Sequence, residues 1–389
     1  MYRYLPVLRF KQFFAVVFVV VFVLVNFFIN SQLSLLVGAL FLGVYSGFGI
    51  HRNPPTLNVL LIFCLFSILV APALFVFNHG FSTFFYYVST VISFFAARQL
   101  ASIQAEMVLM GLRCSFYAFF VLCITLFYLH RAEPEPFGAI LEGASTNGIP
   151  SYFIVLQVVL SIVTYLVMGR LPLMTPLLTL VIAVLGIGRG SILAASAIVL
   201  ISVVFNFLQD LNYRRWGGMF FWGGIVLCVL VVCGINFDFL FNYVSSKTNL
   251  SRGLYDPARA DMISDYLGQL SIISLFSGGG FEGTVISQLY GNNPHNSFIR
   301  AHSYMGLGVF LLIVFSPFLV FFSGAKMSEK TVCFTFLLIL LFRAISEPIL
   351  FPTLLDFFYF FIFFFFYRRA AERQRPSVVS LSESRWVRA

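Results

Sequence analysis

The stretch FFAVVFVVVFVLVNFFI, residues 13–29, contains no charged side chain in 17 residues. As an α-helix it would span about 26 Å, close to the ~30 Å hydrocarbon core of a bilayer. Its apolar residues are continuous rather than alternating, which excludes the roughly ten-residue strands of an outer-membrane barrel. The basic lead MYRYLPVLRFKQ resembles a signal-peptide flank, but no small-x-small cleavage site follows, so the run reads as a retained first helix.

The rest of the chain repeats this pattern. Of 389 residues, 60% are hydrophobic, 10% are charged and 51 are phenylalanine. That leaves too little polar surface to cover a soluble globule. The reading is an all-α polytopic membrane protein with about twelve transmembrane helices, at residues 13–29, 33–50, 57–77, 81–97, 114–129, 151–168, 172–188, 190–208, 216–236, 304–323, 331–347 and 349–367. Residues 1–236 then hold spans one to nine, 237–303 form one large outer loop, 304–367 hold the last three spans, and 368–389 are a basic tail.

Orientation follows from lysine and arginine. Alternating the spans places Arg3, Arg9, Lys11, Arg52, Arg98, Arg113, Arg170, Arg214, Arg215, Lys326, Lys330 and the tail on one side, and only Arg131, Arg189, Lys247, Arg252, Arg259 and Arg300 on the other. Both termini are therefore expected in the cytoplasm. The net charge of +9 is a topology signal, with contact to anionic membrane lipids, so no nucleic-acid partner is needed to explain it. The 6 cysteines lie in or near apolar runs without C-x-x-C or zinc-like spacing. No nucleotide-binding loop occurs, and no metal or cofactor is expected.

Chemistry is expected in the outer loop between spans nine and ten. Within YDPARADMISDYLGQLSIISLF, Asp256 suits an N-cap and Pro257 the first helical position. Met262, Ile263, Tyr266, Leu267, Leu270 and Ile273 then follow at helical spacing, as in an amphipathic helix that lies on a membrane or roofs a cavity. Arg259 falls one turn before Ile263, towards that apolar face, where either snorkelling or an anion accounts for it. Gly278, Gly279 and Gly280 form a turn or a phosphate nest.

In NNPHNSFIRAHSYMG, residues 292–306, Asn296 or Ser297 can cap the tenth span and His295 sits at the helix mouth. Free amides there attract an anion and disfavour protonation of the histidine, which could then take a proton from a hydroxyl. Arg300 and His302 are possible secondary members. In GIGRGSIL, residues 186–193, Arg189 stands between two apolar runs at the outer surface, a costly place unless it has a partner. Arg343 and Glu347 have the spacing of an intrahelical pair. Asp356 is an intramembrane acid to which the sequence assigns no role.

These features together resemble the O-antigen polymerase and O-antigen ligase superfamily of bacterial surface-polysaccharide assembly. The resemblance rests on about twelve spans, Arg189 followed by Leu193, R-A-D-M-I and S-L-F-S-G-G-G-F in the outer loop, P-H-N-S-F-I, and the spacing of His295 to Gly306. It implies metal-independent glycosyl transfer on the periplasmic face of the inner membrane, with a glycan donor linked through a diphosphate to undecaprenol. In that family Arg189 and Arg259 would hold the diphosphate, with Arg252 on the same loop. His295 would deprotonate the attacking sugar hydroxyl and Asn296 would orient it. The ligase form tends to carry glycine, threonine or tyrosine where this chain has Val309, which favours a polymerase. A ligase acting on the lipid A core is the alternative within the family. A lipid-linked oligosaccharide flippase is the alternative outside it, disfavoured because the polar residues gather at one face rather than at the midplane. A chain-length regulator and a flippase are the partners implied.

Overall fold

A computed structural model of the protein describes residues 5–29, 32–133, 135–140, 147–214 and 256–374, with isolated positions between 216 and 238. The expected ninth span at 216–236, most of the outer loop before Asp256, including Arg252, and the tail beyond 374 lie outside the described residues.

The described chain is all-helical. In order come α1 (Leu5–Ile29), α2 (Gln32–Arg52), α3 (Leu57–Val76), α4 (Phe81–Ala101), α5 (Ala105–Leu129), α6 (Pro136–Ile140), α7 (Gly148–Met168), α8 (Met174–Leu185) and α9 (Arg189–Asn212). After the gap follow α10 (Pro257–Gly268), α11 (Ile272–Ser277), α12 (Val285–Tyr290), α13 (Ser297–Phe315) with a 3₁₀ extension (Ser316–Phe322), α14 (Met327–Ile345) and α15 (Asp356–Gln374).

Among the described residues, 7 helices are long and apolar enough to cross a membrane: α1, α2, α3, α5, α7, α9 and α13 with its extension. Two of them show what solvent the chain is built for. The span in α7 is 89% buried and that in α3 only 11%, although both are apolar on all sides. A helix greasy all round is stable either inside a core or against lipid. Ile68 and Phe75 of α3 are 68% and 88% exposed, so water is not their solvent. The protein is an α-helical membrane protein.

Several expected spans change shape. The run at 172–188 yields only the 12-residue α8, about 18 Å long and too short to cross alone. The tenth span starts at Ser297 rather than 304. The last helix starts at Asp356 rather than 349, because residues 346–355 form an irregular loop over the bundle end. α4, α14 and α15 are long helices outside the set of 7.

α7 runs through the centre, packed against α5, α8, α14 and α15. α15 contributes Phe357, Phe358, Phe361, Phe365 and Phe366, all fully buried. At one bundle end lie the start of α7, α9, α13 and α15 and the finish of α14. The opposite end carries Arg98, Arg170, Lys330, Arg368 and Arg373.

Candidate functional site

Arg189 opens α9 between two glycines that other helices approach. A methyl group at Gly188 would collide with the Asn147 side chain before α7, and one at Gly190 would press on Ser346 and Arg343 at the end of α14. The G-R-G pattern thus lets three helix ends converge around one guanidinium. The Arg189 side chain is 20% exposed, and its Nη2 lies 3.5 Å from Asp256 Oδ2.

Asp256 occupies the N-cap position of α10, with Pro257 next, as the sequence predicts, but its carboxylate makes no cap hydrogen bond. It faces Arg189 and Arg259 instead, the latter with Nε at 3.6 Å. Arg259 also reaches Glu347 Oε1, at 3.8 Å. Glu347 in turn meets Arg343 at 3.5 Å, so the expected pair forms and is also shared with α10. Arg343, 1% exposed, donates to Ser346 and to Ser151 of α7, both at 2.6 Å. Three guanidinium groups therefore share two carboxylates.

His295 stands beside this cluster in a left-handed backbone conformation, φ +46°, with its N–H donating to Asn293 Oδ1 at 3.1 Å. Burial pushes its imidazole below the ordinary 6.5; the nearby Glu347 and Asp256 oppose that shift and Arg259 adds to it. Neutral imidazole is the form able to accept a proton at pH 7.

Asn296 is the N-cap of α13: its Oδ1 accepts from Phe298 N at 2.8 Å and Ile299 N at 3.1 Å. That bonding commits its oxygen to the start of the helix. Ser297 instead ties the 346–355 loop to α13, donating to the Glu347 carbonyl and accepting from Leu350 N. Asp356 receives the amides of Phe351 and Thr353 at 2.7 and 3.0 Å, so it organises the same loop. Sequence reasoning missed both, since their partners are backbone groups that only the fold brings close.

His302 is structural. Its Nδ1 accepts from Tyr266 Oη at 2.7 Å and its Nε2 donates to the Leu275 carbonyl at 2.8 Å, using both ring nitrogens. Tyr266 also accepts from Gly279 N, and burial pushes its phenol up to about 12. Ser303 donates to the Gly279 carbonyl at 2.6 Å and receives His79 Nε2, also at 2.6 Å. The glycine run is thus a clamped turn, not an open phosphate nest. Gly278 (φ +87°) and Gly306 (φ +81°) need both left-handed backbone and the missing Cβ, for a side chain on either would strike carbonyls of the facing segment.

A cavity of about 310 Å³ opens beside His295. Its wall includes Tyr86, Ser89, Tyr152, His295, Arg300 and Glu347. Arg300 donates to Tyr86 Oη at 3.0 Å and lies over that ring. Arg189 and Arg259 do not line it.

Compared with known protein families, curated proteins and solved structures, the chain shows no significant match. The site is therefore interpreted from its own geometry.

Proposed function

We propose that the protein is a glycosyltransferase of the bacterial inner membrane that polymerises undecaprenyl-diphosphate-linked oligosaccharide units at the periplasmic face. One observation carries this reading: three arginines share two carboxylates through contacts of 3.5 to 3.8 Å next to a half-buried histidine and a cavity. Ionic contacts that long are replaceable, and a diphosphate offers guanidinium groups better geometry than two separate carboxylates.

In the reaction, Arg189 and Arg259 bind the diphosphate and stabilise its charge as the bond to the anomeric carbon breaks. The acceptor hydroxyl gives its proton to His295 while its oxygen bonds to that carbon. As the two arginines turn to phosphate, Asp256 and Glu347 lose countercharge, and their field favours the imidazolium that forms. The placement of basic residues supports the orientation, since the bundle end opposite His295 is rich in lysine and arginine.

A strain lacking the gene and complemented by His295→Ala or Arg189→Ala tests the assignment. Both variants should insert normally and fail to restore polymer. Full polymer from either would sink the catalytic role. The glycan profile of the deletion strain separates neighbouring activities: core with one repeat unit marks a polymerase, bare core with lipid-linked polymer a ligase, and unflipped single units a flippase.

A further inference from the structure

We infer that the cavity beside His295 is an acceptor-saccharide subsite, in which Ser89 and Glu347 receive or position sugar hydroxyls and Tyr86 and Tyr304 cradle the ring. This inference rests on the glycosyl-transfer reading above.

An unpartnered hydroxyl points to a ligand. Ser89 Oγ is buried in the cavity wall and makes no hydrogen bond within the protein, while the Glu347 carboxylate in the same wall is held only by arginine contacts of 3.5 and 3.8 Å. Ser89 is 7% and Glu347 5% exposed. A buried hydroxyl left so is costly, and a ligand bearing several hydroxyls removes the cost. At about 310 Å³ the space sits at the small end of small-molecule sites, which run from about 300 to 1,000 Å³.

The wall chemistry suits a sugar rather than a diphosphate. Tyrosines present an apolar face and a polar edge, matching a pyranose with its C–H faces and hydroxyl rim. Tyr304 is held rigid by stacking on His79, with centroids 4.1 Å apart, and Tyr86 by Arg300. The two charges in the wall, Arg300 and Glu347, are of opposite sign, so the cavity has no excess positive charge to offer an anion.

Position decides between acceptor and donor sugar. Displacement at an anomeric carbon needs the nucleophile and leaving group on opposite faces. Arg189 and Arg259 stand outside the cavity, whereas His295, which must face the attacking hydroxyl, lines it. The attacking hydroxyl therefore belongs with His295 in the cavity, and the diphosphate with the arginines outside it.

The test uses the full-length protein in lipid nanodiscs with two probes. Undecaprenyl diphosphate carries the anion without sugar. The delipidated oligosaccharide repeat unit, bearing a photoreactive diazirine, carries the sugar without the anion. On the wild type, the oligosaccharide should label peptides holding Ser89, Asn292 or Thr353, with undecaprenyl diphosphate present or absent. Ser89→Leu, which fills the cavity, should weaken oligosaccharide binding about tenfold or more and leave undecaprenyl diphosphate binding within about twofold. Labelling elsewhere, or displacement of the oligosaccharide by undecaprenyl diphosphate, overturns the subsite even should Ser89→Leu misfold. If undecaprenyl diphosphate instead fails to bind the wild type, the functional reading falls, and oligosaccharide labelling still reports on the cavity.

Discussion

At the end of the bundle away from His295, arginines are spent on the framework. Arg98 donates to the carbonyls of Asn53 and Pro54 at 2.9 and 2.8 Å, and Arg368 to those of Ala101 and Ile103 at 2.6 Å. Asp210 pairs with Arg170, and Glu329 with Arg373. Each buried acid there has its cation, and the remaining donors satisfy carbonyls that helix ends leave open. At the His295 end, Arg189 meets Asp256 and Arg259 meets Asp256 and Glu347 at 3.5 to 3.8 Å, and both carboxylates are shared between guanidinium groups. One end uses arginine to close the structure, while the other gathers arginines around shared carboxylates. Residue type is therefore a poor guide to function, and the geometry of the partners is a better one.

Breaking each end should produce different losses. His295→Ala should reduce glycan transfer by about 10²–10⁴-fold with the melting temperature unchanged, as expected for a general base; transfer assays on purified protein measure this. Arg189→Ala should cost about 10²–10³-fold in kcat, the usual loss for one preorganised charge stabiliser. An equal stability loss in a thermal melt would instead give Arg189 a framework role like that of Arg368.

Arg343→Ala should destabilise the fold by about 3 kcal/mol, because it strands Glu347 in a buried position with only the more distant Arg259. Thermal unfolding in detergent reports it. The pH profile is a finer probe. Since burial lowers the His295 pKa, neutral imidazole persists below 6.5, so kcat/KM should hold level through neutral pH and fall only at more acidic values. Glu347→Gln removes a charge that favours imidazolium, so its acid limb should move further down. A shift upward would contradict the placement of Glu347 beside His295. Arg98→Ala should cost least, about 0.3–1 kcal/mol, with transfer retained.

The site was only partly legible beforehand. Arg189 and His295 stood out because a charge or polar cluster among apolar runs is expensive without a reason. Arg343 and Glu347 were legible as a pair because their spacing is local. Asn296 was legible as a cap, and its oxygen serves two amides of its own helix. His302 lies on α13 close to His295 in sequence, yet its partners come from Tyr266 and Leu275, which the Gly278 turn folds back against α13. The link from Arg259 to Glu347 joins residues 88 positions apart, which no local pattern encodes.

Sequence alone determined that the chain is helical and lives in lipid, because hydrocarbon leaves backbone groups no partner except their own helix and favours apolar side chains at every exposed position. It also placed the cations unequally along the chain. Tertiary structure decided which apolar helices are core and which face lipid, as α7 and α3 show, for both are apolar enough to span a membrane and packing separates them. Tertiary structure also decided which arginines are satisfied and which are shared, because ion pairing depends on distances between helices that meet only when the bundle closes.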